Sequence, residues 1–597
     1  MKNQMKEVHI MRKTLSIILC AVMLLSVCTF AIPVSAAPEG TAINNADEFL
    51  AMVSTPADAT EPTAKYYLAT DITLPSSYAE PFWGILDGNG HTVTVSTPMF
   101  NDFSGEVKNL KIKGEIFYQD ANAAAFATLS SKGFNATDCV NDANVTITGN
   151  AKWAAGFVAD CEKNAVPMIF TNCVNNGDIY VDSTADEKMR AGGFGGIIDS
   201  AIFFNCTNTG DIYMKGNICI AGGLVARVAL HAAQYTAEAY GCTNTGKITV
   251  EDTYIGKDGV SFGSAGADAG GIFGHIGCSK QSGWYRVWGC KNEGKIDAPY
   301  RAGGIVGYTY ASNTTAYLDL QFCINTGDIV YGRTQKQDDA TVIFDYGSPF
   351  VAYTNSPYTT IKYNINTGAV SQREGTVAER KENTFFGCSS ADATMYDLQG
   401  NYDIYYDQYK YYSFANPYTE NGRDVGNIHE LSETEGIIKT TLEDIKSGKV
   451  CYEICQLAES DAFGEAVMDT LEADAAKAAG FENGAYRFYF YQKIGTDNFP
   501  SINPAQGWVV LSGSTYVNGE KVEGDETTEA PKVDETTEGN DATEAPSQGT
   551  EAPSQGTDAP SEGTQPTTEK TGCGGFVAGG VALVAILGTA LIIKKRD

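Results

Sequence analysis

Short apolar runs separated by Gly, Asn and Asp occupy most of the chain between residues 81 and 425. The runs are rich in Ile, Val, Tyr and Phe, which is typical of β-strands. Residues 302–332 contain three such runs, AGGIVGYTY, YLDLQFCIN and GDIVYG. Because Gly, Asn and Asp favour turns, the pattern predicts three short strands joined by sharp turns.

This three-strand unit recurs with two phrases in a constant order. The phrase Cys-x-Asn-x-Gly-x-Ile begins at Cys173, Cys206, Cys242, Cys290 and Cys323, with a variant lacking Cys at Asn364. The phrase Ala-Gly-Gly begins at Ala191, Ala221, Ala269 and Ala302. Such self-similarity indicates that one supersecondary unit is stacked many times. We therefore predict a mainly β fold, a right-handed parallel β-helix solenoid in which each unit is one coil.

The repeated polar and sulfur-containing positions are predicted to be structural. Equivalent residues of successive coils stack, so the repeated Cys residues are expected to form a column of buried thiols rather than disulfides or a metal site. The Asn and Gly of the same phrase are expected to supply a turn. Asp178, Asp211 and Asp328 follow that Gly, and two other copies carry Lys there, which indicates a solvated turn.

The two ends of the chain differ from the repeats in residue composition. Basic residues, an apolar run and a Val-Ser-Ala site are typical of a signal peptide, and the C-terminal apolar run 576–593, followed by Lys-Lys-Arg, is typical of a membrane span. We predict the following segments: a signal peptide (1–36), an N-terminal cap (37–80), the β-helix repeats (81–425), a small α+β capping module (426–520), a disordered Thr/Pro/Glu-rich stalk (521–571) and one transmembrane helix with a basic tail (572–597).

Charge and the ends together suggest where the protein resides. The formal net charge of −31 disfavours binding to nucleic acid. The segments predict a cell-surface protein with an extracellular ectodomain, held in the membrane by its C-terminal helix. Attachment to the cell wall by a sortase is the alternative. However, residues 568–572 read TEKTG and keep only the last two positions of a Leu-Pro-x-Thr-Gly signal.

Candidate chemistry is sparse in this sequence. No Ser/His/Asp set, metal-ligand spacing or phosphate loop is visible, so we expect no catalytic residue, no metal and no cofactor. His275 occupies a repeat position that other copies fill with Arg227 or Tyr308, which indicates an outward-facing side chain. The segment 396–418 is dense in tyrosine, and aromatic rings can stack on sugars. The candidate ligand-binding residues are Tyr405, Tyr406, Tyr409, Tyr411 and Tyr412. The alternative is that these rings pack against the last coils.

Several stretches resemble a known group of proteins. FWGILDGNGHTVTV at residues 82–95, GEVKNLKIKGEI at 105–116 and the two repeated phrases resemble bacterial surface proteins with a pectate-lyase-like right-handed β-helix and GLUG-type repeats. FYFYQKIGTDNFPSI at 488–502 resembles the module that follows such helices. The resemblance implies the β-helix, the C-terminal module and an anchor in the membrane or cell wall.

These observations favour a non-enzymatic surface protein that binds or adheres. Its partners would be polysaccharides or other components of a host or neighbouring cell surface, contacted through side faces and corner loops. Two alternatives stay open. The first is a surface-anchored carbohydrate-active enzyme, either a polysaccharide lyase or a hydrolase, which would need charged residues converging on one face. The second is a structural envelope protein without a specific ligand.

Overall fold

The structure is a computed structural model, and most of its described part is β-strand paired in parallel. It describes the following residues: 38–161, 167–185, 187–230, 236–251, 267–278, 283–311, 316–334, 345–354, 356, 358–376, 383–388, 396–420, 423–430, 436–460, 490–492, 497–502, 516–517 and 520–521. The predicted signal peptide, transmembrane helix and all but the first residue of the predicted stalk lie outside this part. Within it, no helix is both long and apolar enough to span a membrane.

Successive coils lie on one another in register, so that each strand pairs with its counterpart one repeat earlier and one repeat later. Ala221, for example, pairs with Ala191 before it and Ala269 after it. The strands therefore form four stacks, which we number 1 to 4 in the order in which the chain visits them within a coil. These large parallel sheets are consistent with the predicted β-helix solenoid.

Stacks 1 and 2 begin later in the chain than stacks 3 and 4, and their first strands lie in the same coil. Stack 1 contains Ala123–Ala124, Trp153–Ala155, Lys188–Gly192, Ile218–Gly222, Asp268–Gly270, Arg301–Gly303 and Tyr346–Ser348. Stack 2 contains Ala127–Leu129, Val158–Cys161, Gly195–Ile198, Val225–Leu230, Phe273–Cys278, Val306–Ala311, Val351–Thr354 and Phe386–Cys388. The run AGGIVGYTY, predicted as one strand, is thus two strands, because the chain bends sharply at its second Gly.

Stacks 3 and 4 extend to both ends of the solenoid. Stack 3 contains Thr41–Ile43, Lys65–Leu68, Phe82–Asp87, Phe100–Lys108, Phe134–Thr137, Met168–Thr171, Ala201–Phe204, Thr236–Tyr240, Gly283–Trp288, Ala316–Gln321, Tyr358–Lys362 and Tyr396–Gln399. Stack 4 contains Ile72–Thr73, Thr92–Val95, Lys111–Gln119, Val140–Gly149, Val174–Asn175, Ile179–Ser183, Thr207–Asn208, Ile212–Lys215, Thr243–Asn244, Ile248–Val250, Lys291–Asn292, Ile296–Ala298, Ile324–Asn325, Ile329–Tyr331, Ile365–Asn366, Val370–Gln372, Asn401–Asp403 and Ile437–Lys439. Strands therefore begin within residues 37–80, the segment predicted as a cap.

The interior of the coils is filled by columns of like residues. Phe157 stacks on Phe194 with ring centroids 4.9 Å apart, and Phe170 stacks on Phe203 at the same distance. The repeated Cys residues form a fully buried column without disulfides, as predicted: Cys139, Cys173, Cys206, Cys242, Cys290 and Cys323. Burial raises the pKa of Cys323, which keeps this thiol protonated. The Asp178 position is exposed, in agreement with the predicted solvated turn.

The Asn of the repeated phrase forms a continuous buried ladder of hydrogen bonds, which we call the Asn ladder. Each side-chain amide donates to the carbonyl two residues later and also to the side-chain oxygen of the next coil. The ladder runs through Asn141, Asn175, Asn208, Asn244, Asn292, Asn325 and Asn366, and it ends at the carboxylate of Asp403. The Nδ2 to oxygen distances between coils are 2.7 to 2.9 Å. The amides therefore satisfy one another away from water.

The glycines of the Ala-Gly-Gly phrase lie directly against this ladder. A Cβ atom added to Gly193 would lie 2.3 Å from Oδ1 of Asn208, and one added to Gly304 would lie 2.5 Å from Oδ1 of Asn325. Both distances are shorter than any van der Waals contact, so only glycine fits. The two repeated phrases recur together because each builds one side of the same contact.

Short elements cover the two ends of the described solenoid. Helix Ala46–Leu50 begins at Asn45, whose side chain accepts a hydrogen bond from the backbone of Glu48, and it places Phe49 in the core. After the last strand of stack 4, helices Leu442–Lys446 and Lys449–Ser460 follow. A 3-10 turn, Tyr406–Gln408, and three small pairings complete the fold: Asn383–Thr384 with Tyr409–Glu420 and Arg423–Glu430, Phe490–Tyr491 with Ser501–Ile502, and Tyr516–Val517 with Glu520–Lys521.

The second C-terminal helix packs against the outer side of stack 3. Its Val450, Ile454 and Cys455 join a buried apolar cluster with Tyr240 and Trp288 of the coils. Near the last coil, the hydroxyl of Tyr402 donates to the Glu453 carboxylate at 3.0 Å. Residues of the predicted module thereby bury an apolar flank that the coils alone would expose to water.

Candidate functional site

The tyrosines predicted to bind a ligand do not form a described site. Tyr405 and Tyr406 are half-buried and pack against the core of the coils. Tyr409, Tyr411 and Tyr412 lie in strand Tyr409–Glu420, and their side chains lie outside the described part of the structure. Any role of these rings in glycan binding stays a prediction.

A different group of aromatic and charged residues converges where stack 1 turns into stack 2. Two outward-facing columns flank this turn. The column of stack 1 contains Trp153, Arg190, Ile220, Asp268, Arg301 and Tyr346. The column of stack 2 contains Asp160, Ile197, Arg227, His275, Tyr308 and Tyr353. We call the two columns, together with the neighbouring Lys188 and Tyr300, the Arg–Tyr groove.

Small residues between the columns allow the groove to exist. Gly222, Gly270 and Gly303 occupy the last position of the stack 1 strand, and a Cβ atom on any of them would lie 2.0 Å from the carbonyl oxygen three residues later. The chain can therefore bend sharply at this point only with glycine. Because no side chain rises from the bend, the larger side chains of the two columns face each other across it.

Three residues form the centre of the groove. The Arg301 guanidinium donates from Nε to Oδ1 of Asp268 at 2.6 Å. The other carboxylate oxygen, Oδ2, lies 3.2 Å from Nδ1 of His275, an ion-pair distance without hydrogen-bond geometry. Asp268, Arg301 and His275 are only 1%, 3% and 5% exposed. A buried charge is tolerated when it is paired, and the Asp268 carboxylate is paired with the Arg301 guanidinium.

Aromatic rings surround this centre. The guanidinium carbon of Arg301 lies 3.5 Å from the centroid of the Tyr308 ring and 4.6 Å from that of Tyr300. The His275 ring packs edge-on against Tyr308 with centroids 4.7 Å apart. Further along the groove, Arg190 lies 5.3 Å from the centroid of the Trp153 ring. Cations over ring faces are held electrostatically, so the arginines and rings orient one another.

The surroundings keep His275 neutral at physiological pH. Burial lowers the pKa of His275 to about 4, because it outweighs the attraction of Asp268, and Arg227 and Arg301 lower it further. Burial, together with Arg227 and Arg190, also lowers the pKa of Lys188. The groove therefore disfavours any additional positive charge.

Three buried atoms at the centre have no hydrogen-bond partner among the described residues: Oδ2 of Asp268, Nδ1 of His275 and Nη2 of Arg301. The first two lie 3.2 Å from each other, whereas Nη2 of Arg301 is a donor of a charged guanidinium. A buried guanidinium N–H without an acceptor is costly, and in native proteins such groups usually mark the place of a water molecule, an ion or a ligand. The described residues contain no cluster of His, Cys, Asp and Glu that could hold a metal ion.

A second polar column lies on the outer side of stack 3, and its charged side chains are paired with one another and with their neighbours. Glu238, Arg286 and Asp319 are neighbours in successive coils. The Glu238 carboxylate accepts hydrogen bonds from Thr236 and Tyr240, and Gln321 donates to Asp319 at 2.6 Å. Burial raises the pKa of Asp319 to about 6. Because its members bond one another, we assign this column a structural role.

Comparison with protein-family models, with curated proteins and with solved structures found no match for the chain. The resemblance to β-helix surface proteins therefore depends on the motifs themselves, and the stacked parallel strands support its fold.

The Arg–Tyr groove was not predicted from the sequence. A signal for it is nevertheless present in the sequence. In four copies of the repeat, a large aromatic or charged residue stands directly before the Ala-Gly or Ala-Ala pair: Trp153, Arg190, Asp268 and Arg301. The repeat aligns His275 with Arg227 and Tyr308, and the structure places all three in one column. Only the in-register stacking shows that this column faces the other one.

The depressed pKa of His275 predicts a pH dependence of stability. An unfolded His binds its proton near its ordinary pKa of 6.5, whereas the folded protein does so only near 4. The unfolded state thus takes up more protons in this window, and the free energy of unfolding should fall as the pH drops through it, by about 3 kcal/mol at most.

His275→Gln should remove this contribution. Urea unfolding across the window should show a shallower decline for the variant than for the parent protein. Asp319 acts with the opposite sign, because its folded pKa is raised, and Asp319→Asn serves as the control that should steepen the decline. Parallel pH profiles for the parent and the His275 variant would contradict the assignment.

Proposed function

We propose that this protein is a non-enzymatic binding protein of the cell surface that recognises polysaccharide through the Arg–Tyr groove. The observation that carries the proposal is the convergence of Arg190, Arg227 and Arg301 with Trp153, Tyr308 and Tyr353 on one side of the coils. Aromatic faces stack on the apolar faces of sugars, and arginine donates to sugar oxygens and acid groups. A row of such residues along a solenoid suits an extended polymer better than a small molecule.

The proposed location follows from the ends of the chain. A signal peptide over residues 1–36 would export the protein, and the run 576–593 followed by Lys-Lys-Arg would hold it in the membrane as a single span. The acidic stalk 521–571 would keep the coils away from the envelope. We also propose that the chain belongs to the surface proteins with GLUG-type repeats. Its partners would lie on a host cell or a neighbouring cell.

A second candidate function is cleavage of a polysaccharide by a lyase or hydrolase reaction. It is favoured by the contact between His275 and Asp268, because a neutral imidazole beside a carboxylate is a common general base. The proton would be taken by the imidazole nitrogen that does not face Asp268. This candidate requires that the purified protein shortens its ligand.

The proposal is tested with the full chain, purified in detergent, on an array of polysaccharides. We expect binding to a subset of them, and Tyr353→Ala should weaken it by about tenfold through lost ring contact. Tyr358→Ala is the matched control, since this ring is 41% exposed and lies in stack 3, away from the groove. Equal losses in both variants, or no binding to any polysaccharide, would contradict the groove assignment. Release of shorter chains would establish the second candidate instead.

A further inference from the structure

We infer that the Arg–Tyr groove selects an anionic polysaccharide, whose carboxylate or sulfate groups accept hydrogen bonds from Arg301 and are attracted by the neighbouring cations. This inference rests on the glycan-binding function proposed above and names the ligand class. Carboxylate and sulfate share the chemistry in question, because both offer oxygens that match the donors of a guanidinium.

The described part of the groove has an excess of positive charge. It contains four cationic side chains, Lys188, Arg190, Arg227 and Arg301, and two carboxylates, Asp160 and Asp268. The nearby Arg333 pairs with Asp345 at 2.7 Å, so this pair adds no net charge. The whole chain, in contrast, has a formal charge of −31. Among the described residues the groove is therefore richer in cations than in carboxylates, unlike the chain as a whole, and this favours anions locally.

Arg301 provides the specific contact. Its Nε donates a hydrogen bond to Asp268, and its guanidinium plane packs against the Tyr308 ring. Its Nη2 has no acceptor among the described residues. The first two contacts fix the orientation of the guanidinium, so little entropy would be lost when the remaining N–H groups bind a ligand. A neutral hydroxyl could accept one such hydrogen bond, but an acid group would also offset the excess charge.

The spacing of the cations suits a polymer. Arg190, Arg227 and Arg301 belong to the first, second and fourth of four consecutive coils. At a strand spacing of about 4.8 Å, the row extends over about 14 Å along the solenoid axis. A single acid group can contact only part of this row, whereas an extended chain with acid groups at intervals can contact all of it.

The test uses three polymers with one backbone: dextran, carboxymethyl-dextran and dextran sulfate of equal length. Binding of each to the full chain in detergent is measured by calorimetry at low and high salt. We expect at least one anionic form to bind about tenfold or more tightly than dextran, with a difference that shrinks as salt screens the charges. The carboxymethyl and sulfate arms show which acid group the groove accepts.

Arg301→Gln should remove most of that difference, and Arg301→Lys should restore only part of it, because Lys keeps the charge without the planar pair of donors. Lys247→Gln is the matched control, since it removes the same charge from an exposed turn outside the groove. Arg227 does not belong to the buried Asp268–Arg301 pair. Arg227→Gln therefore tests the same preference for anionic polymers if the Arg301 variants unfold.

The outcomes separate the two proposals. Equal binding of dextran and its anionic forms would overturn the anionic preference and leave glycan binding intact. Binding of none of the three would also overturn the preference, while the polysaccharide array decides on glycan binding independently. Equal effects of the Lys247 and Arg301 substitutions would show that net charge, not the groove, attracts the polymer, and would overturn the inference as well.

Discussion

Asp268→Asn is expected to lower the free energy of unfolding by about 3 kcal/mol, one of the two largest effects we predict. The substitution keeps the shape of the side chain but removes the charge that pairs with Arg301 at 2.6 Å. Both residues are almost completely buried, so the guanidinium would remain charged without a counterion. Breaking a buried pair by removing one partner is costly for this reason.

Urea unfolding and hydrogen exchange of the amides in strand Asp268–Gly270 measure the effect. Asp182→Asn is the matched control, because Asp182 pairs with Lys215 at 3.6 Å with both side chains well exposed, and it should cost below about 0.5 kcal/mol. The double variant Asp268→Asn with Arg301→Gln should regain part of the loss. Equal stability of the two single variants would show that the buried pair contributes nothing to folding.

Asn244→Ala is the second substitution with a large expected effect, a loss of about 2–4 kcal/mol. It deletes the hydrogen bonds from Nδ2 to the Gly246 carbonyl and to Asn292, each 2.9 Å long. It also leaves Nδ2 of Asn208 without the acceptor that it now contacts at 2.8 Å. A buried donor without an acceptor is costly, and the interior beside Gly223 has no space for a bulkier replacement.

Thermal and urea unfolding of this variant should be compared with Thr245→Ala, which alters the exposed neighbouring residue of the same turn. Asn141→Ala, at the start of the ladder, should cost less than Asn244→Ala, because no earlier Asn donates to it. If the three variants were equally stable, the Asn would act only as a turn former and the ladder would be energetically neutral.

The features that repeat could be predicted from the sequence. The strand runs, the buried thiol column and the exposed Asp178 position follow from residue types that recur at the same place in most of the repeated units. A residue type that recurs at one position of the repeat indicates that the backbone conformation or the packing at that position requires it. The Asn ladder was only half predicted, because a turn preference already explains each Asn by itself. The hydrogen bonds between the Asn side chains form only when neighbouring coils bring the amide nitrogen of one within 2.9 Å of the amide oxygen of the next.

The features that do not repeat could not be predicted in this way. Asp268 and Arg301 both precede an Ala-Gly-Gly phrase, 33 residues apart, but the residue type at this position changes from copy to copy, so each alone resembles an ordinary surface residue. Their contact depends on the register of coils of unequal length and on the bend at the Ala-Gly-Gly phrase. The tyrosine-rich segment shows the converse. Its composition predicts a ligand site; Tyr405 and Tyr406 pack against the core, and ligand binding by the segment stays a prediction.

The Asn ladder also has a direction, and this direction bears on how the protein can change in length. Every Asn of the ladder between Asn141 and Asp403 receives one hydrogen bond from the coil before it and gives one to the coil after it, so a complete coil could be deleted or duplicated there and the remaining amides would still match. Asp403 differs, because a carboxylate has no N–H to pass on. The series can be shortened or lengthened in whole repeats upstream of Asp403, but it cannot continue through it. The groove has no such freedom, since Asp268, His275 and Arg301 each occur once.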